Sequence, residues 1–470
     1  MRAATGEPKS SQPPALGLTD AIAIIIGIVI GAGIYETAPL VLANVSSPLV
    51  ALGVWALGGV LSLVGAVCYA ELTSAYPHSG GDYVYLSRAF GRATGFLFGW
   101  AQLTVILTGS IGMMAYVFAD YATAAWGPSA PSTAVLAIAS VVLLTLLNIV
   151  SVNSGRRTQN VLTALKVVGI SSIVIAGLAV GDGVKLAAPR TGEGSLGLAM
   201  IFVLYTFGGW NDAAFVASEV KSPERNLPRA LVLGTLAITA IYLVINAAFI
   251  WGLGFERARA SDAIAAELLS EVIGPMGGRV MAVIVMVSAL GALSGLIFTG
   301  ARLFAKVGAD HTALGACGVW HPRLGVPLVS LLAQAAISIV LILALGTTAG
   351  RALIGGAVRA IGLAEPAWAG HGGFDVLLRA TAPVFWGFFL MTGLSLFVLR
   401  VRDPDTARPF RVPGYPWVPL LFCATCAYMV QAAVLYAGSL TLVGLAPLAL
   451  GLVLYAARAP LQLTGERKRA

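Results

Sequence analysis

Apolar residues fill long runs along this chain, and short polar or charged connectors separate them. A helix that crosses a bilayer needs about 20 predominantly apolar residues. By that measure twelve spans are predicted, roughly at 17–44, 48–75, 93–122, 132–152, 160–180, 196–219, 228–254, 278–306, 326–345, 378–400, 415–437 and 440–457. Two of the runs carry glycines where a continuous helix would resist them, by about 1 kcal/mol each relative to alanine. The first is Gly27-Ile28-Val29-Ile30-Gly31-Ala32-Gly33, and the second is Tyr205-Thr206-Phe207-Gly208-Gly209-Trp210-Asn211-Asp212. A helix broken in hydrocarbon leaves amides and carbonyls that protein, water or a ligand must satisfy. Paired interruptions in two halves of a chain therefore point to a ligand site.

Connectors add less. Between Ser261 and Ile273, residues Ile264, Leu268, Leu269, Val272 and Ile273 share one helical face, predicting a short helix lying on the outside of the protein. The segment from Gly346 to Asp375 is unassigned apart from a helix over Arg351–Ile361, and the proline-rich stretch from Asp403 to Pro416 reads as a stiff connector.

Composition fixes the solvent. Of 470 residues, 58% are hydrophobic and 11% charged, and the mean hydropathy is +0.88. That is more than a soluble domain can enclose, so a polytopic protein of the lipid bilayer is expected. The net charge of +8 would raise the question of nucleic acid in a soluble chain; here the sorting of charge by side matters more, and no nucleic-acid partner is expected. With an even number of spans, 21 of the 29 Lys and Arg residues fall on the side of the termini. The positive-inside rule then places both termini in the cytoplasm and the chain in the cytoplasmic membrane. Residues 1–16 and 459–470 read as cytoplasmic tails around a membrane domain over 17–458, and the start lacks the pattern of a cleavable signal. Cys423 and Cys426 form a C-x-x-C inside an apolar helix without a second ligand pair, so the four cysteines read as packing residues. No metal or cofactor is expected, and no nucleophile or acid pair marks an enzyme.

The first interruption offers backbone rather than side chains. Amides at Gly31, Ala32 and Gly33 would form a helix N-terminus suited to a carboxylate. Carbonyls of Ile28, Val29 and the Tyr205 neighbourhood would face a cation. One pole for each sign suits a zwitterion. The competing reading is that Gly27 and Gly31 merely let helices pack closely. Lys166, seven residues into its span, either takes a buried partner or snorkels to the cytoplasmic surface. Glu71 and Asp120 lie near span ends and read as interfacial. Asp212 either faces a cavity or caps the restarting helix, with the cap preferred. Tyr205 and Trp210 would give apolar walls or ordinary packing. The connector from Glu219 to Arg229 reads as a salt-bridged gate or anchor.

Several motifs, in order, resemble the amino acid-polyamine-organocation superfamily, especially its bacterial and L-type amino acid transporter branches. They include Gly27-x-x-x-Gly31-Ala32-Gly33-Ile34-Tyr35, Ser79-Gly80-Gly81-Asp82-Tyr83, Phe207-Gly208-Gly209-Trp210-Asn211 and Arg408-Pro409-Phe410-Arg411-Val412-Pro413-Gly414. The resemblance implies an all-α membrane protein of twelve helices. Five helices (17–180) are repeated upside down (196–400), two more are appended (415–457), and the first and sixth are unwound mid-membrane. It further implies that Gly31, Ala32 and Gly33 hold a substrate carboxylate, that Ile28, Tyr205 and Gly208 meet its ammonium, and that Tyr205 gates the site. Phe207 would narrow the pocket and Trp210 is a second gate candidate. Lys166 matches a lysine of sodium-independent members, near where sodium-coupled relatives bind an ion. The expectation is a sodium-independent secondary transporter of small to medium neutral amino acids, an exchanger or coupled to a proton. Cationic amino acids and polyamines rank next, and a channel or a non-transporting sensor is the rival class. Thr123–Thr133 holds no cysteine, so no disulfide-linked heavy subunit is expected.

Overall fold

The computed structural model describes residues 16–31, 33–150, 152–180, 195–261, 263–360, 362, 365–366, 368 and 372–467. Among these the chain is helical, and an isolated bridge between Leu16 and Val220 is the sole β pairing. Eleven of the described helices are long and apolar enough to cross a membrane, and a bent pair counted as one span makes twelve.

That bent pair is the first span. Leu18–Val29 ends where Ile30 leaves the helical region (φ −77°, ψ 77°), and Gly33–Ala43 departs from it at 53°. The Gly31 N–H reaches back only two residues, to the Val29 carbonyl at 2.8 Å. Ser47 caps the second span, Pro48–Ala75, accepting from the Val50 N–H at 3.3 Å, with proline at the first helical position. The sixth span starts as Leu196–Thr206 on a Ser195 cap, breaks, and resumes as a 3₁₀ stretch, Trp210–Glu219. Gly209 makes that break possible: its φ of +103° suits only glycine, and a Cβ there would lie 2.7 Å from Ile28 Cγ2. The two interruptions therefore pack directly on each other.

Around them, Leu18–Val29 lies among the fifth span (Val152–Val180), the seventh (Pro223–Leu253) and the eighth (Met276–Asp310). The tenth (Gly373–Arg402) runs along the third (Arg92–Trp126) and the eleventh (Trp417–Ala437), while the twelfth, Leu440–Ala457, is the least enclosed. Inside the third span one turn, Gln102–Ile106, is a π-helix that no feature of the sequence announced. All four cysteines are buried free thiols.

Connectors follow the hydrophobic pattern with some departures. Ile264–Ile273 is a helix that buries Ile264, Leu268 and Leu269, but Val272 and Ile273 are exposed at its end. Thr348–Ala360 is a helix starting three residues earlier than the pattern indicated. Glu71, read from the sequence as interfacial, is instead buried. Its carboxylate accepts from Arg400 at 2.8 and 2.6 Å and from the Val412 N–H at 2.7 Å, with Arg408 at 3.5 Å. A buried carboxylate survives only when paired, and its partners come from the far end of the chain. Asp120 is exposed, in keeping with its place near a span end.

Candidate functional site

Where the two interruptions meet, a cavity of ≈ 130 Å³ opens. From the first span it takes Ile28, Gly31 and Gly33, and from the sixth Tyr205, Gly208 and Asp212. Ala32 lies outside the described residues. The π turn of the third span adds Gln102, and the tenth span adds Phe385 and Trp386. Extra residues in a helical turn often mark functional sites, yet Gln102 carries no local signal that would have singled it out.

The backbone freed by the breaks is largely accounted for. The Tyr242 hydroxyl, from the seventh span, lies 3.0 Å from the Val29 carbonyl and 3.1 Å from that of Thr206, so one group spans both interruptions. Ser288 lies 3.2 and 3.3 Å from the carbonyls of Ile30 and Gly31. Thr37 donates to the Gly33 carbonyl at 2.7 Å, and its hydroxyl is 2.8 Å from that of Thr206. The Tyr205 carbonyl accepts from the Gly208 N–H at 2.9 Å. A carbonyl has two lone pairs, so such an oxygen keeps a second acceptor position for a bound group.

The residues singled out in the sequence separate into two sets. Ile28, Gly31, Gly33, Tyr205 and Gly208 line the cavity together. Tyr205 points its hydroxyl at Met113 Sδ, 3.4 Å away, and its ring sits 6.5 Å from Phe374. Phe207 and Trp210 lie outside the lining. Phe207 is buried against Tyr242 and Trp55, at 5.0 and 6.3 Å between ring centroids, and Trp210 packs on Tyr69 and Phe389 at 5.0 and 5.5 Å.

Lys166 also stands behind the cavity rather than in it. It is fully buried, and its Nζ donates to the Gly27 carbonyl at 2.8 Å. A Cβ on Gly291 would lie 3.3 Å from the same Nζ, which places the ammonium between the first and eighth spans. Snorkelling is therefore not what this side chain does.

Asp212 is not a cap. The 3₁₀ stretch begins after Gly209 without a side-chain cap, and Asp212 lines the cavity with 8% of the residue exposed. Behind it Asp82 is buried, taking hydrogen bonds from Tyr69 and from Thr392 on the same oxygen, Oδ1. At the N-terminal end of the first span the backbone of Leu16 pairs with Glu219 and Lys221, at 2.9 and 2.8 Å. The Glu219 carboxylate accepts from Arg302 Nε at 2.8 Å. The anchoring role read for this connector rests on that pair.

Comparison with known proteins bears on what the chain does. A family model described as amino acid permease matches residues 16–455. The chain belongs to the amino acid permease family. Over 441 residues the permease is 31% identical to the b(0,+)-type amino acid transporter 1 of Rattus norvegicus, covering 91% of this chain and 84% of that protein. It is 28% identical to the serine/threonine exchanger SteT of Bacillus subtilis, over 87% of this chain and 88% of the relative. With the large neutral amino acids transporter small subunit 2 of Mus musculus it shares 28% identity, over 87% of this chain and 75% of that one. The permease is thus a multi-pass membrane protein that transports amino acids, not an enzyme.

Proposed function

We propose that this permease is a sodium-independent exchanger of small to medium neutral amino acids, working by alternating access around its two helix breaks. The observation that carries the reading is the cavity itself. Its Gly31 and Gly33 wall offers backbone to a carboxylate, its Ile28, Tyr205 and Gly208 wall offers carbonyls to an ammonium, and apolar side chains surround both. A zwitterion matches that arrangement better than any singly charged ion. Exchange and neutral substrates draw support from relatives named a serine/threonine exchanger and a large neutral amino acids transporter. Sodium independence draws support from Lys166, whose ammonium holds the Gly27 carbonyl between the first and eighth spans. The basic residues favour a chain in the cytoplasmic membrane with both termini inside. The spans over 17–180 and 196–400 form the two inverted halves. Although one relative is named a small subunit, Thr123–Thr133 lacks a cysteine, so this chain works without a disulfide-linked partner.

Purified protein in liposomes tests the reading. Labelled serine, threonine or leucine is expected to enter with potassium as the sole cation, and faster when the lumen holds unlabelled substrate. A pore shows no such trans-stimulation, and a sensor shows no uptake. Indifference to all twenty amino acids overturns the proposal.

A further inference from the structure

Neutral substrates rank above cationic ones in the reading above, yet the cavity lining includes an acid. Asp212 lines the cavity from the resumed half of the sixth span, and the residue is more than nine-tenths buried. Among the described residues no donor and no cation meets its carboxylate; its charged neighbour is another acid, Asp82. Asp82 accepts from the Tyr69 and Thr392 hydroxyls on one oxygen, Oδ1, and its Oδ2 is buried without a hydrogen-bond partner. Elsewhere among the described residues, buried Glu71 is matched by Arg400 and Arg408, and partly buried Glu219 by Arg302. A buried charge without a counter-charge is costly, and whatever brings one relieves the cost. At Asp212 no described residue does so, and Asp212 is part of the cavity lining.

We infer that Asp212 is a specificity residue that receives a positively charged side chain, so that the cavity also takes amino acids ending in an ammonium or guanidinium. This rests on the zwitterion reading of the cavity. The substrate backbone occupies the Gly31 and Tyr205 walls, and its side chain extends along Phe385 and Trp386 toward Asp212. A neutral side chain leaves the carboxylate unpaired; a cationic one pairs it directly, and the buried surroundings strengthen that attraction.

Two measurements decide it, both in proteoliposomes preloaded with whichever neutral amino acid gives trans-stimulated uptake. In the unaltered protein, ornithine is expected to exchange about tenfold or more faster than citrulline, its uncharged analogue of similar length. In Asp212→Asn the ratio of ornithine to neutral exchange is expected to fall by about tenfold, and Asp212→Glu is expected to restore part of it. Equal rates for ornithine and citrulline overturn the inference while leaving neutral exchange intact, as does an Asn variant that slows both substrates in proportion. If Asp212→Asn does not fold, the comparison in the unaltered protein still decides. Absence of exchange with every amino acid defeats the zwitterion reading and this inference with it.

Discussion

Lys166 shows how one side chain can be conspicuous in a sequence while its purpose is not. Its depth in an apolar run is visible from the residues alone, because a cation there is seldom kept without a use. Its acceptor is not, since Gly27 lies 139 residues away. Replacing it with alanine leaves the Gly27 carbonyl without its donor, a cost of about 1–3 kcal/mol for a buried polar group, and empties the space beside Gly291. Lys166→Ala is expected to lower exchange by about tenfold or more while still eluting as a single folded species in detergent. Near-normal uptake would show that the ammonium is merely structural. Asp212 was misread for a different reason. Helical periodicity tells which way a side chain points only while the helix continues, and Gly208-Gly209 resets the phase three residues before it. Glu71 is harder still: its partners are 329 and more residues away, and nothing local marks a carboxylate destined for burial.

Among the elements, both interruptions were legible because glycine punctuates apolar runs so plainly. What the pattern could not supply was how they are joined. Tyr242 reads as one aromatic residue in an apolar helix, yet its hydroxyl lies between the Val29 and Thr206 carbonyls and ties the two breaks through a third helix. In Tyr242→Phe the ring packing against Trp55 and Phe207 is retained and the link is lost. Thermal unfolding in detergent is expected to show destabilisation of about 1 kcal/mol, the usual worth of such a bond. Exchange is expected to slow for all substrates alike, because the hydroxyl holds the frame of the cavity rather than the substrate's side chain. A change confined to one substrate would contradict that assignment. The π turn at Gln102–Ile106 was illegible on other grounds, since it differs from its neighbours in hydrogen-bond register and not in residue type.

For the molecule as a whole, the strongest polar ties sit at the ends of spans and connect distant parts of the chain. Arg302 is nearly fully buried, its guanidinium lying 3.7 Å from the centroid of the Phe298 ring, and Glu219 is its sole salt-bridge partner among the described residues. Removing that partner leaves a buried charge, at about 3–5 kcal/mol. Glu219→Gln is therefore expected to lower the melting temperature sharply, and the double change Glu219→Gln with Arg302→Met to recover much of the loss. Additive losses in the double variant would mean that the two residues act independently.

The meeting of Ile28 with Gly209 carries a mechanical consequence. A methyl group of the first span sits in a notch that exists because the sixth span has a hydrogen where other residues have a carbon. For the two segments to swing apart, that methyl must first climb out. Such a detent resists small excursions and then yields at once, which favours two well-separated positions over a continuum between them.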